Sequence, residues 1–203
     1  MENLLREMES YANDNNVPII EKDGIDIVSK IIIENNIKSI LEIGTAIGYS
    51  ALKMHLCNEC SITTIERDEI MYNKAVDYIK NANKQKEITL IFEDALKLDE
   101  SNLPMFDMLY IDAAKGQYKN FFEKYLSHVN EGGIILFDNL LFHGFVNLEQ
   151  HEIKNRNTRQ LIRKIKEFIE YIQNHEEYDF KLIQEGDGIG IATKKKVSLW
   201  WKK

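Results

Sequence analysis

Acidic and amide side chains stand at the ends of short apolar runs in this chain. Met108–Ile111 ends in Asp112, and Ile134–Phe137 ends in Asp138 and Asn139. If these runs are neighbouring parallel strands, their carboxyl ends bring three hard oxygen donors over one cleft. Oxygen-only donors suit magnesium or another divalent cation, which keeps waters and accepts substrate oxygens in its remaining positions. Taken alone, Asp138-Asn139 reads equally as a turn after a strand. Asp112 at another strand end favours the cation. Lys115 follows closely and lies within reach of a hydroxyl held there. A free lysine, with a pKa of about 10.4, is a weak base at neutral pH, but burial and a neighbouring dication both lower that value. Lys115 is therefore the candidate general base, the bland alternative being an exposed loop cation.

A second group of residues suits a nucleoside. Leu41-Glu42-Ile43-Gly44-Thr45-Ala46-Ile47-Gly48-Tyr49-Ser50 passes from a buried strand to a helix through a glycine-bearing turn, where the backbone can approach a ligand closely. The spacing is G-x-x-x-G, not the dinucleotide G-x-G-x-x-G, so a cofactor without a diphosphate is favoured, with Gly44 at the turn. About twenty residues later, Ile62–Ile65 ends in Glu66, where a carboxylate can accept both hydroxyls of a ribose. A third run ends in Glu93-Asp94-Ala95, placed to meet an adenine amino group. Singly, each of these acids reads as well as a solvated loop residue; their order on successive strand ends supports a site.

The elements that must carry these residues are legible from periodicity. Leu4, Leu5, Met8, Tyr11 and Ala12, then Ile25, Val28, Ile31 and Ile32, repeat at helical spacing on either side of the Val17-Pro18 break. From Ser39 onward short apolar runs alternate with helix-length segments: Ser39–Ile43, Ile62–Glu66, Ile88–Phe92, Met108–Ile111 and Ile134–Phe137. This alternation predicts an α/β fold, a mostly parallel sheet with helices on both faces. Phe180–Gln184 and Ile189–Thr193 flank Glu185-Gly186-Asp187-Gly188, which predicts a closing antiparallel hairpin. With 203 residues and 44% hydrophobic content, the chain fits one domain. We divide it into a helical cap (1–36), a cofactor- and metal-binding core (37–139) and a substrate-side insert, helix and hairpin (140–203).

Composition narrows the function classes. A net charge of −7 argues against a protein that coats nucleic acid nonspecifically, while leaving room for a local basic face. No signal-like leader or membrane-length apolar run occurs, so a cytoplasmic protein without stable membrane association is expected. Cys57 and Cys60 form a C-x-x-C with no second pair and no thioredoxin-like context, and read as incidental thiols.

V-P-I-I at 17–20, L-E-I-G-T-A-I-G-Y-S at 41–50, I-E-R at 65–67, Y-I-D-A-A-K-G-Q-Y at 110–118 and F-D-N at 137–139 together resemble the catechol and caffeoyl-CoA type of metal-dependent O-methyltransferase. The likeness is closer to its bacterial branch, which acts on 5-hydroxyuridine in tRNA, and spans Val17 to Lys195. The resemblance implies a Rossmann-like class I methyltransferase sheet of seven strands with an antiparallel C-terminal strand. It implies that Ile20, Ser50, Glu66 and the Asp94-Ala95 turn line an S-adenosylmethionine site, with Asp112 serving cofactor pocket and magnesium together. Asp138 and Asn139 would complete the metal site, and Lys115 would be the base. The segment before Val17 is shorter than the resemblance leads one to expect. The tail Val197–Lys203, with Trp200 and Trp201, is longer, and packing on the domain or across a homodimer is expected of it.

Two vicinal oxygens are what such a cation site chelates, and both a catechol and 5-hydroxyuridine offer them. The segment Ile153–Lys166 bears on the choice, since it holds Lys154, Arg156, Arg159, Arg163, Lys164 and Lys166 and no acid. Arg159, Arg163 and Lys166 share one helix stripe opposite the apolar Leu161, Ile162, Ile165, Phe168, Ile169 and Ile172. A stripe of this kind reads either as a solvated face or as a rim for the phosphates of a tRNA anticodon loop. The first expectation is the tRNA substrate, with Arg156, Arg159, Arg163 and Lys166 touching RNA. A small phenol is the runner-up and a non-catalytic cofactor-binding subunit a distant third.

Overall fold

The computed structural model describes residues 1–195; the Trp200-Trp201 tail lies outside the described residues. Two amphipathic helices come first, α1 (Glu2–Asp14) and α2 (Lys22–Glu34), burying Met8 and Ala12, then Ile25, Val28, Ile31 and Ile32. The alternating units follow: β1 (Ser39–Ile43), α3 (Tyr49–Asn58), β2 (Ser61–Glu66), α4 (Glu69–Asn81), β3 (Ile88–Phe92), β4 (Phe106–Ile111), α5 (Tyr118–Tyr125) and β5 (Val129–Phe137). The chain closes with α6 (Arg156–Gln173), β6 (Tyr178–Ile183) and β7 (Ile189–Lys194). Asp68 caps α4 and Asn155 caps α6, each side chain accepting two free N–H groups of the first turn.

The seven strands run in the order β3-β2-β1-β4-β5-β7-β6. β1 to β5 pair in parallel, and β7 alone runs against its neighbours β5 and β6. This is the expected Rossmann-like sheet with its antiparallel C-terminal strand. Period-two alternation sends Met108 and Tyr110 of β4 to a core shared with α1 to α4, and Leu109 and Ile111 to a core shared with α5 and α6. The order reverses at β1, which pairs with β2 on one side and β4 on the other, and that reversal opens a crevice at the strands' carboxyl ends.

Two strands begin earlier than the apolar runs suggest. β4 starts at Phe106 and β5 at Val129, and their pairing slips between Phe106 and Met108. Across Gly132-Gly133 the chain passes through an irregularity without leaving the sheet. Gly132 takes φ +74°, and a Cβ on Gly133 would sit 2.8 Å from the Asn130 carbonyl oxygen. At the other end of the sheet the hairpin strands also extend past their apolar runs, β6 starting at Tyr178 and β7 ending at Lys194.

Candidate active site

The carboxyl ends of the central strands are laced together by backbone hydrogen bonds. Glu93 N–H donates to Glu66 O (3.0 Å), Gly44 to Ile65 (3.0 Å), Asp112 to Ile43 (3.0 Å) and Asp138 to Ile111 (3.1 Å). Each of these residues thereby takes a fixed place along one rim. Gly44 is required there: it takes φ +99°, and a Cβ would meet the Asp112 carbonyl oxygen at 2.1 Å. The rim borders a cleft of about 780 Å³. Ile20, Gly44, Ser50, Glu66, Asp94, Ala95, Asp112, Lys115, Asp138 and Asn139 all line it, so every cofactor, metal and base candidate comes to one cavity.

On one side of the cleft the acids are held by the backbone. Glu66 accepts from Ala46 N–H (2.9 Å) with one oxygen and from Arg67 and Asp68 N–H (2.8 Å each) with the other. Asp94 accepts from Leu96 N–H at 2.9 Å and lies 3.8 Å from the Arg67 guanidinium. Beneath them lies a residue not foreseen from the sequence. Glu42 is fully buried on β1, accepting from Ser50 Oγ (2.6 Å) and Thr64 Oγ1 (2.5 Å), with Thr45 Oγ1 2.5 Å from Thr64 Oγ1. Burial pushes its carboxyl up to about 8, against the two hydroxyl hydrogen bonds. The available clue was an acid in the middle of a run buried on both faces.

On the other side the carboxyls are starved of solvent. Asp112 is pushed up to about 7 by burial and then by the charge of Asp138, with Lys115 opposing. Asp138 is raised by burial too, eased by the Tyr110 hydroxyl at 3.1 Å and the Asn139 N–H at 2.9 Å. Tyr118 Oη donates to the Asp138 carbonyl at 2.5 Å and fixes the strand end from the α5 side. Lys115, in a short 3-10 turn, donates to the Asn139 side-chain oxygen. A buried and a half-buried carboxyl, an amide oxygen and one ammonium leave this corner short of positive charge, and its donors are all hard oxygens. That composition fits a divalent cation. Among the described residues no three His, Cys, Asp or Glu side chains form such a group, the third donor here being Asn139.

The cleft is completed by Phe142, His143, Leu161 and Asp187, none of them foreseen as site residues. The basic segment is only partly as expected. Ile162, Ile165, Phe168 and Ile172 are buried beneath α6 as the periodicity requires. The stripe on its outer side, however, is engaged with the chain itself. Arg159 donates to the carbonyls of Ile153 (2.6 Å) and Lys154 (3.1 Å), Lys166 to that of Leu148 (2.9 Å), and Arg163 pairs with Glu167 at 3.4 Å. Among the described residues Lys154, Arg156 and Lys164 make no ion pair, and Lys164 reaches the turn that carries Lys115, its Nζ 3.9 Å from where a Cβ on Gly116 would stand. The two thiols are not activated: Cys57 donates to Met54 O and Cys60 to Ile37 O, and burial raises both, Cys60 to about 11.

Comparison with known proteins agrees with this architecture. Residues 1–195 match the O-methyltransferase family model, and the chain belongs to that family. It is 32% identical to a provisionally assigned caffeoyl-CoA O-methyltransferase of Arabidopsis thaliana, over 94% of this chain and 86% of that one. A crystal structure of a provisionally assigned caffeoyl-CoA O-methyltransferase from Staphylococcus aureus superimposes with a TM-score of 0.88 at 34% identity, covering 94% and 91% of the two chains. An O-methyltransferase from Bacillus cereus, solved in complex with SAH, shares the fold with a TM-score of 0.82 at 22% identity, over 95% and 91%.

Proposed function

We propose that the protein is an S-adenosylmethionine-dependent, divalent-cation-assisted O-methyltransferase that methylates one of two vicinal oxygens on a flat ring. The observation that carries this reading is the meeting of Asp112, Asp138, Asn139 and Lys115 in the same cleft as Gly44, Ser50 and Glu66. Bound there, S-adenosylmethionine would supply an electrophilic methyl group, and a divalent cation, magnesium by the donor set, would supply the Lewis acid that holds paired oxygens. The chain's own part is positional. Glu66, its carboxylate already oriented by backbone N–H groups, faces the ribose hydroxyls, and Ser50 with Ile20 borders the amino-acid end. Asp112, Asp138 and Asn139 would hold the cation, whose charge favours loss of the Lys115 ammonium proton to solvent, and the neutral Lys115 amine would then take the proton from the hydroxyl to be methylated.

For the acceptor we favour 5-hydroxyuridine in a tRNA anticodon loop, methylated to 5-methoxyuridine. The support is the set of cations on and just before α6 in an acidic chain: none lines the cleft, but Lys164 stands against the turn that carries Lys115, and Lys154, Arg156 and Lys164 are offered in place of the engaged Arg159, Arg163 and Lys166. A small catechol-like phenol is the second reading, favoured by the names of the plant relatives. A homodimer, acting without membrane attachment, belongs to the same proposal; among the described residues no helix is long and apolar enough to cross a membrane. Nucleosides from cells lacking the protein, measured by mass spectrometry, decide between the acceptors. Loss of 5-methoxyuridine with a gain of 5-hydroxyuridine is expected. Unchanged nucleosides, with turnover of a catechol by the purified protein, would overturn the tRNA reading.

A further inference from the structure

Between β5 and α6 the chain makes a turn that its own residues do not favour. Phe142 takes φ +45° and His143 φ +54°, just ahead of Gly144 at φ +78°. Consecutive left-handed residues with bulky rings are costly and persist only where surrounding contacts hold them. Besides the turn's own hydrogen bonds, Phe142 N–H to Asn139 O (3.2 Å) and Phe145 N–H to Phe142 O (3.0 Å), contacts come from the other end of the chain. The Asp187 carboxylate accepts from the His143 backbone N–H, and its second oxygen lies 3.6 Å from His143 Nδ1. The backbone around it joins in: Leu141 N–H donates to Asp187 O at 2.9 Å and Leu140 N–H to Gly188 O at 2.8 Å. Gly188 permits this approach, since a Cβ there would lie 2.4 Å from Leu141.

Both Phe142 and His143 line the cleft. Phe142 and His143 have centroids 5.4 Å apart and planes tilted by 44°, and Phe145 backs Phe142 at 6.1 Å. The Asp187 side chain is 11% exposed while that of His143 is 70% exposed, so the carboxylate is covered by the turn and the imidazole stays open. Phe142, His143 and Asp187 border the same cavity as Asp112, Asp138 and Asn139. An Asp in a G-D-G hairpin is ordinarily there for its own turn. Here the hairpin closes through the Gly188 N–H on Glu185 O, and the described side-chain hydrogen bond of Asp187 goes to the β5–α6 segment.

We propose that Asp187 is a positioning residue for the acceptor: it holds Phe142 and His143 left-handed, so that their rings form a shelf for the flat ring whose paired oxygens meet the cation site. This rests on the methyl-transfer reading above. Residues that meet only through the hairpin would thus set acceptor recognition without touching the cofactor half of the cleft.

The test is steady-state kinetics with S-adenosylmethionine and Mg2+, using catechol and an anticodon stem-loop containing 5-hydroxyuridine as acceptors, alongside calorimetry of S-adenosylmethionine binding. Asp187→Ala should raise the acceptor KM about tenfold or more, with kcat within a few-fold and cofactor Kd within about twofold of wild type. Asp187→Asn, which keeps an oxygen for the His143 N–H, should recover most of that loss. Glycine adopts the left-handed conformation freely, so in a His143→Gly background Asp187→Ala should cost markedly less, a coupling that general loosening of the fold would not produce. An unchanged acceptor KM in folded Asp187→Ala, or an equal cost in both backgrounds, overturns the proposal. If Asp187→Ala does not fold, Phe142→Ala tests the shelf directly, and an unchanged KM there overturns it. Wild-type protein that turns over neither acceptor would instead sink the methyl-transfer reading itself.

Discussion

On one side of the cleft, Glu66 accepts three backbone N–H groups, whereas on the other the buried Asp138 and half-buried Asp112 are both pushed up by loss of solvent, Asp112 further by the charge of Asp138. The same element, an acid at the end of a parallel strand, is thus prepared in two ways. Backbone donors orient the first carboxylate, which in the proposed function would meet neutral hydroxyls that add no charge of their own. The second pair is left electrostatically unfavourable, and in the proposed function a dication would relieve it. In the proposed function ligand charge would explain the difference: a ribose is recognised by hydrogen-bond geometry, and a cation by uncompensated negative charge.

Mutations on the cation side should have the most severe effect. Asp138→Ala should lower turnover on the order of a thousandfold or more, the several kcal/mol that cation-assisted charge stabilisation supplies, while sparing S-adenosylmethionine binding. Full activity of this variant in the presence of a chelator would dissolve the distinction between the two sides. Lys115→Met should cost roughly 10²–10⁴ in kcat with cofactor affinity nearly unchanged, the usual contribution of a general base. Complete rescue by raising the pH would show that the acceptor loses its proton unaided.

Glu66→Ala is the converse variant. Cofactor Kd, measured by calorimetry, should rise by about tenfold to a hundredfold for the loss of a charged hydrogen-bonding partner, and kcat at saturating cofactor should change little. A fall in kcat equal to that of Asp138→Ala would mean that the two halves do not act separately.

Smaller effects are expected from the α6 cations. Replacing Lys154, Arg156 and Lys164 by Gln should flatten the salt dependence of tRNA binding, the log–log slope falling by about 0.7 for each phosphate that is no longer neutralised. The same change at Arg159, Arg163 and Lys166 should do less to binding, because those side chains already serve Ile153, Lys154, Leu148 and Glu167. Superimposable slopes for wild type and the first triple variant would remove the main residue-level support for tRNA.

The last effect concerns stability. Glu42, near 8, and Asp112, near 7, both sit above their values in the unfolded chain, so between about pH 4 and pH 8 the folded protein binds more protons than the unfolded one. The metal-free protein should therefore lose stability as pH rises through that window. Mg2+ should offset the part due to Asp112, and Glu42→Gln should flatten the remainder, each by on the order of ten degrees in Tm at about 2–4 °C per kcal/mol for a domain of this size. A Tm that rises from pH 5 to pH 8 without metal would contradict the burial assigned to both carboxyls.

Features that repeat locally were legible in the amino-acid order. The alternation from Ser39 to Phe137 led to the parallel sheet, and acids at strand ends led to one cleft, because strand direction, side-chain alternation and the crossover rule leave few arrangements for such a pattern. Gly44 was legible for the same reason, a turn that must come close to its neighbour. Long-range packing settled the rest. Glu42 could be told from an ordinary strand residue only by its burial against Ser50 and Thr64. The α6 stripe has the right periodicity for a free basic face, yet periodicity does not say which carbonyls Arg159 and Lys166 will find. The contact between His143 and Asp187 joins residues 44 positions apart, and no local propensity favours a left-handed Phe142; the packing of hairpin against turn adds to the turn's own hydrogen bonds in holding it there.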